Sequence, residues 1–545
     1  MESGWQFGKR LVVAREGIVA AKHPLAARVG LDILRRGGNA VDAAVATAFA
    51  IGVVEPWMSG LGGGGVLLVS RPGEAPVAVE FGMQAPAAAS PTMFALEDGY
   101  DEELFGWRRV RGQANIHGPL SVAVPGAPAG LALALDRFGT MRLADVVAPA
   151  AALARDGVPV EWTTTLQIAL DASTLRLYPE ASALFLPGGV PLVPSPSPRP
   201  RLLRQPDLAR TLEALGAEGP DVFYRGPIGW RIVEEVQRHG GVLTRDDLEA
   251  YEPWVAPAAV APARAGHEIA VSPGPSGGAT LVEIFHILRR DPLGALGHNS
   301  APYLHLLIEA TRAAFADRLR LLAEGHGWEI VTSPRHADLR RGEIREDVAA
   351  SWPSGGVDPT STTHLCVIDR AGAAVSLTAT LLSRFGSRVV VPGTGVLLNN
   401  GMMWFNPEPG HPNSVAPRRR PLANMTPALV MREGQPVLAV GASGGRRIIP
   451  AVLQVILNHV EFGMDVQAAI AAPRVDASTA DVVVDGRIPG DVQGELLRRG
   501  HRIAVVEEAV APRFFASPVA VARDPRTGLL TGGADPYHPA VAAGW

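Results

Sequence analysis

The stretch TTHLCVIDRAGAAVSLTAT, residues 362–380, alternates β-branched and apolar residues on both sides of a turn signal at Arg370-Ala371-Gly372. It reads as a hairpin: a strand from Thr362 to Ile368, a reversal centred on Ala371, and a return from Val375 to Thr380. In that register Thr380 falls opposite Thr362, and two hydroxyls face each other across an antiparallel pair. His364 lies on the same strand face as Thr362 and is read as structural.

A threonine hydroxyl is a weak nucleophile that needs a base. An N-terminal α-amine, with a pKa of about 7.7–8.0, can take its proton near neutral pH. Inside a chain Thr362 carries an amide instead. Nucleophilic chemistry there therefore requires scission of the Ser361–Thr362 bond, by attack of the Thr362 hydroxyl on the Ser361 carbonyl and hydrolysis of the resulting ester.

Working outward, the runs THLCVID, AAVSLTAT, RVVVPG, TPALVMR, PVLAVGA and ADVVVDGR make the C-terminal third strand-rich. Upstream, Pro24 with Leu25, Val29, Leu31 and Leu34 and a Gly37-Gly38 stop predicts a helix. The run AAVATAFAIGVV from Ala43 is apolar all round, which predicts a helix packed on every side, and SGLGGGGVLLVSR then enters a strand. Further helices are predicted over 144–155, 207–215 and 303–322, and an exposed loop over 193–200. The pattern suits one layered unit or two domains.

With 47% hydrophobic and 19% charged residues among 545, the chain has ample material for a core. Lys+Arg 50 against Asp+Glu 54 leaves a formal net charge of −4, so no nucleic-acid partner is expected. The one cysteine, Cys366, excludes an internal disulfide, and only Lys9 and Lys22 are lysines. No apolar stretch resembles a secretory signal or a bilayer span, so a cytoplasmic protein without a membrane partner is expected. The histidines lack metal-ligand spacing; no metal site and no cofactor are expected.

Two glycine motifs invite other chemistry. SGLGGGG (59–65) lacks the Lys and Ser/Thr of a phosphate cradle. GASGG (441–445) fits G-x-S-x-G between a predicted strand and a predicted helix, so Ser443 could serve as the nucleophile of a serine hydrolase, with Asp465 or Asp476 and His501 or His538 as partners.

Five segments, GGNAVDAAVATAFAIGVVEPWMSGLGGGG (37–65), PGPSGGATLVEIFHIL (273–288), TTHLCVIDRAGAAVSLTAT (362–380), PGTGVLLNN (392–400) and GASGGRRIIPAVLQ (441–454), closely resemble the γ-glutamyltranspeptidase family, in that family's order. The resemblance implies an N-terminal nucleophile hydrolase of α+β class, a four-layer αββα sandwich. It implies a proenzyme cut into a large subunit, 1–361, and a small subunit, 362–545, that stay together as a heterodimer in one layered domain. By position Thr362 resembles the nucleophile, Thr380 the hydroxyl that orients it, and Gly444 and Gly445 the oxyanion hole; Ser361 and Thr362 flank the cleavage site.

The departures concern the substrate head group. Where family members that act on γ-glutamyl compounds hold the α-carboxylate with an arginine, in a segment like DFREMAP, this chain has EFGMQAP (80–86) with Gly82 in that place. After the paired asparagines a Gln or Glu is usual, then an aspartate for the α-amino group; here these are Gly401 and Trp404. The asparagine expected two residues after Thr380 is Leu382, and the expected serine pair is Ala423-Asn424. A zwitterionic glutamyl head would lose its ionic partners. The resemblance therefore points to acylase- or amidohydrolase-like members, which cleave a small-molecule amide through an acyl-enzyme. Two readings stand beside this one: a γ-glutamyl transferase or glutathione hydrolase with a rebuilt clamp, in which Arg384, rather than Arg446 or Arg447, supplies the missing guanidinium, and a non-catalytic member of the family.

Overall fold

The computed structural model of the chain describes residues 7–102, 104–322, 327–353, 356 and 361–545. The hairpin is present: Ser361–Asp369 turns and returns as Ala374–Leu382. Thr363 pairs with Ala379, His364 with Thr378 and Cys366 with Ser376, the register centred on Ala371; a bulge between Ser361 and Thr363 then sets Ser361 opposite Leu382. The hairpin occupies the middle of a seven-stranded antiparallel sheet. Gly17–Ala21 flanks it on one side and Gly64–Ser70, then Val77–Phe81, on the other, with Val541–Gly544 and Trp254–Pro257 at the edges. A second seven-stranded sheet runs in the order Val12–Ala14, Leu530–Ala534, Ser517–Arg523, Gln435–Ser443, Ala428–Arg432, Glu268–Val271 and Ala259–Pro262.

Every residue of both hairpin strands is buried, because both faces are covered. Leu365, Val367, Val375 and Leu377 point to one side and share a cluster with residues of helices Pro24–Arg35, Ala40–Val54 and Leu143–Asp156. Cys366, Ile368 and Ala374 point to the other and meet Leu429, Ala439 and Val519 of the second sheet. That sheet buries its far face, including Ala428, Leu438 and Val440, under helices Gly278–Ile287, Ala301–Arg320 and Ile448–Val460. Helix, sheet, sheet, helix is the expected αββα sandwich.

Helix Ala40–Val54 is buried at all 15 positions, as its apolar circumference requires. The Asn39 side chain accepts from the Val41 and Asp42 N–H groups, and Asp42 returns a bond to Asn39 N–H at 2.7 Å, a reciprocal cap. One strand expectation fails. RVVVPG forms no strand; Val390 makes only an isolated bridge to Leu397. Positive φ angles at Phe385, Gly386, Arg388, Gly393 and Gly395 turn the chain repeatedly there, while Val389 and Val391 still reach the helix-side core. Their β-branched side chains are satisfied by burial rather than by a ladder. Among the described residues no helix is long and apolar enough to cross a membrane.

Candidate active site

At the open end of the hairpin the Ser361 carbonyl oxygen accepts from two hydroxyls. Thr362 Oγ1 lies 2.7 Å from it and Thr380 Oγ1 2.6 Å, with 3.5 Å between the two hydroxyls. The Leu382 N–H donates to Thr380 Oγ1 at 2.8 Å. That bond occupies a lone pair of Thr380 and aims its proton at Ser361, so the carbonyl beside the nucleophile candidate is polarised. The geometry has a backbone cost: Leu382, Phe385 and Arg388 all adopt positive φ, 90°, 56° and 63°. For non-glycine residues each such angle costs on the order of 1–3 kcal/mol, strain of the kind that gathers at functional sites.

The face that carries Thr362 and Thr380 continues inward as a polar column between the sheets. His364 Nδ1 lies 2.8 Å from Thr378 Oγ1 and its Nε2 3.1 Å from Cys366 Sγ. Burial, reinforced by the Lys22 charge, lowers the His364 pKa to about 3. A neutral, enclosed imidazole bonded to Thr378 and Cys366 fits its structural reading. The unfolded chain, with an ordinary histidine pKa of about 6.5, binds a proton that the folded chain refuses, so this site's stability is complete above pH 6.5 and falls as the pH drops toward 3. Against His364→Gln, denaturant unfolding of the wild type is expected to lose about 1.4 kcal/mol per pH unit below 6.5. Parallel pH curves for the two proteins would contradict the assignment.

Gly444 and Gly445 follow strand Gln435–Ser443 and open a 3-10 turn, Gly445–Arg447, that leads into helix Ile448–Val460. N–H groups at such a start lack intrahelical acceptors and suit developing negative charge. Glycine is required at 444: φ is 145°, and a Cβ there would sit 2.7 Å from Ala516 Cα. Across the sheets Ser376 Oγ donates to the Val440 carbonyl, and a Cβ at Gly441 would meet the His364 ring. This progression runs toward Thr362, so the Ser443–Gly445 turn leaves its sheet at the end where the two threonines stand.

The Ser443 hydrolase reading is corrected by the positions of its partners. Asp465 caps helix Val466–Ala471, Asp476 accepts from the Ser478 N–H, His501 bonds His305, and His538 sits beside Glu55. Among the described residues no hydrogen bond joins Ser443 to a histidine.

The positions that depart from the γ-glutamyl pattern converge on one apolar cluster. Leu382, Trp404 and Ala423 pack there with Met83, Met402, Met403, Phe405 and Met425. Gly82 precedes Met83, and a Cβ on it would meet nothing within 4 Å. Gly401 is closed in, since a Cβ there would lie 2.7 Å from Ala123 Cβ and 3.1 Å from Met83 sulfur. A glutamine or glutamate cannot enter without displacing the cluster, and Gly401 is a packing residue rather than the substrate contact expected of it. Arg384, expected to supply a guanidinium, is instead ion-paired with the buried Asp171, which also holds Arg388 at 2.8 Å. Arg447 donates to the Arg513 carbonyl.

Trp404 and Asn424 line a common cavity of about 290 Å³ with Phe105, Trp107, Phe315, Arg318 and Arg446. Of these last five, sequence reading weighed only Arg446; the others come from separated segments and carry no local signal. Lys22 was also missed. Its ammonium donates to Ser517 O at 3.0 Å and to Ser517 Oγ, the residue that Ser443 pairs with across the strands, and burial lowers its pKa. The signal available was rarity: the chain's two lysines are Lys9, held by the carbonyls of Asp535, His538 and Ala540, and Lys22, with Asp535 and Arg513 acting on both. Glu283, Asp317 and His336 could bring ligand atoms within 4.8 Å of one another, but Arg340 already grips both Asp317 oxygens and His336 bonds one of them, leaving a cation little to coordinate.

Comparisons with known proteins agree with this geometry. The model of the gamma-glutamyltranspeptidase family matches residues 26–545. The acylase ACY 1 proenzyme of Pseudomonas sp. (strain SE83) is 36% identical over 538 residues, 96% of this chain and 93% of that protein. The glutathione hydrolase proenzyme of Escherichia coli (strain K12) is 35% identical over 487 residues, 85% of this chain and 81% of that one. Among solved structures, the cephalosporin acylase from Bacillus halodurans superposes with a TM-score of 0.88 at 30% identity, over 100% of this chain and 98% of that one. With a family match over nearly its whole length and the sandwich built around a threonine pair, the chain belongs to the gamma-glutamyltranspeptidase family, enzymes of the N-terminal nucleophile class that act on amide bonds.

Proposed function

We propose that the chain is a proenzyme that cuts itself between Ser361 and Thr362 and then hydrolyses an amide through an acyl-enzyme on Thr362, with an acyl group other than standard γ-glutamyl. The observation that carries this reading is the Ser361 carbonyl oxygen, approached by both threonine hydroxyls at 2.7 and 2.6 Å. Attack by Thr362 Oγ on that carbonyl moves the acyl group from nitrogen to oxygen; water hydrolyses the ester, leaving a carboxylate on Ser361 and a free amine on Thr362. In turnover that amine takes the hydroxyl proton as Oγ attacks the substrate carbonyl. The Gly444 and Gly445 N–H groups hold the oxyanion. The ammonium then protonates the departing amine, and water releases the acid.

The two products, 1–361 and 362–545, stay associated in this reading because strand Ser361–Asp369 pairs with Gly17–Ala21 and Ala374–Leu382 pairs with Gly64–Ser70. Separation would open both inner sheets, since Gly17–Ala21 also pairs with Val541–Gly544, Val12–Ala14 with Leu530–Ala534 and Glu268–Val271 with Ala428–Arg432. The acylase and cephalosporin acylase names of the relatives support the acyl preference, as do open space at Gly82, an indole at Trp404 and the engagement of Arg384 by Asp171. Intact mass before and after incubation, followed by release of p-nitroaniline from simple acyl anilides against the γ-glutamyl anilide, tests it. Glutamyl turnover above that of every simple acyl anilide would overturn the acyl preference.

Gly82→Arg separates the head group from the chemistry. Because a Cβ there meets nothing, the variant is expected to fold normally. One restored charge-assisted pair, about 1.5–3 kcal/mol, should raise γ-glutamyl anilide turnover about tenfold or more. An unchanged γ-glutamyl rate in a folded variant would show that position 82 does not face the acyl head.

A further inference from the structure

Resting on the acylase reading above, we propose that Lys22 is a positioning residue for turnover: by bridging the two sheets at Ser517 it sets the Gly444–Gly445 turn at its working distance from the Thr362 hydroxyl.

In that reading the nucleophile and the oxyanion donors belong to different sheets. Thr362 lies on strand Ser361–Asp369 of one sheet, whereas the glycines follow strand Gln435–Ser443 of the other. Hydrogen bonds within a sheet fix neighbouring strands but leave the gap between stacked sheets, about 10 Å, to side chains. Deeper in the sandwich that gap is set by Ser376, which donates to the Val440 carbonyl at 3.0 Å, and by the His364 ring against Gly441. Neither contact reaches Ser443, the last residue before the turn.

Lys22 does. Leu365 pairs with Ala21, and one step further the same register sets Lys22 beside His364, two residues from Thr362. Side chains alternate along a strand, and Ala20 meets the second sheet, so Lys22 faces that sheet too. It is fully buried, and its ammonium crosses to Ser517, donating to the carbonyl oxygen at 3.0 Å and to Oγ. Ser517 pairs with Ser443, and Ala516 before it lies against Gly444, where a Cβ would come within 2.7 Å of Ala516 Cα. One ammonium thus joins the strand beside the nucleophile to the backbone that carries the oxyanion turn.

The choice of side chain fits the task in a chain whose other cations, Lys9 apart, are all arginines. A compact ammonium on a four-carbon stem can reach across the gap and converge on two oxygens of one serine, which a planar guanidinium fork cannot do as readily. Burial then holds the bridge in place. An ammonium away from water keeps its acceptors, because leaving them strands a buried charged donor. Asp535 and Glu55 supply compensating negative charge, against Arg513 and Lys9.

Self-scission provides an internal control. The oxygen of its carbonyl, that of Ser361, is held by Thr380 Oγ1 at 2.6 Å and not by the glycine turn. Lys22→Met keeps the length of the side chain and removes its donors. The variant is expected to cut itself at close to the wild-type rate. On the simple acyl anilide that the wild type cleaves fastest, it should lose about tenfold or more in kcat with KM little changed, since a misplaced group of about 1 Å can cost 10²-fold. Ser517→Ala should lose less, in the same direction, and the double variant should be no slower than Lys22→Met alone, because both changes break one bridge. An unchanged kcat in Lys22→Met would overturn the proposal. So would a parallel loss of scission and turnover, or a loss confined to KM, either of which makes Lys22 a general scaffold or substrate contact. Additive losses in the double variant would overturn the route through Ser517. Absence of anilide cleavage by the processed wild type would overturn the acylase reading itself, and this one with it. Should Lys22→Met fail to fold, Ser517→Ala decides: a kcat lower by about threefold or more at constant KM upholds the bridge, and an unchanged kcat refutes it.

Discussion

Thr362→Ala is expected to remain one species near 57.3 kDa after prolonged incubation and to lose anilide cleavage by a factor on the order of 10⁴ or more. In the proposed reaction the substitution removes the group that both attacks the Ser361 carbonyl and later carries the acyl chain. Without it no amine is generated, and the oxyanion donors have nothing to stabilise. Thr362→Ser keeps a hydroxyl at the same place and should process and turn over measurably. Intact mass and p-nitroaniline release give both readings from one preparation. Two fragments from Thr362→Ala would mean that scission is not internal attack by this residue. Persistent activity in the uncut variant would move catalysis away from Thr362 altogether.

Thr380→Val comes next in expected size. Valine is close in shape but donates nothing to Ser361 O and accepts nothing from the Leu382 N–H, the two bonds that Thr380 Oγ1 makes at 2.6 and 2.8 Å. Loss of one aimed donor at an oxyanion is worth about 10²–10³ in rate, so self-scission should slow by that factor. The stranded Leu382 N–H adds a stability loss of about 1–3 kcal/mol. A merely structural role would lower the melting temperature without changing the rate of scission in folded protein. Time-resolved intact mass, run well below the transition, separates the two effects, and Thr380→Ser should restore most of the scission rate.

Much of this site lay open to sequence reading because it is local. A two-residue alternation broken by Arg370-Ala371-Gly372 sets the hairpin register from Thr363–Ala379 to the turn, whereas at the open end a bulge intervenes and Thr362 and Thr380 are related through their hydroxyls, 3.5 Å apart. The apolar circumference of residues 43–54 predicts a helix with no solvent face, and its helix is buried throughout. The GASGG turn sits between a strand and a helix as its flanks require. What failed was composition without geometry. RVVVPG has the residues of a strand, but left-handed angles on both sides of it prevent a ladder. Arg384 is a plausible clamp in sequence, yet Asp171, 213 residues away in the chain, has already claimed it.

By itself, then, the order of residues determined the alternation, the turn and the facing hydroxyls, which follow from neighbour-to-neighbour periodicity and from which side chains are present. That a charged clamp is missing at positions 82 and 404 came only from the family resemblance. Only the folded chain decided that Leu382, Trp404 and Met83 merge into one apolar wall, that Phe105, Phe315, Arg318 and Arg446 enclose one cavity, and that Arg384 is withdrawn from it by an ion pair. Contacts between residues hundreds of positions apart depend on how two sheets stack and where loops return. No local pattern records that, because each segment's periodicity is blind to its partner.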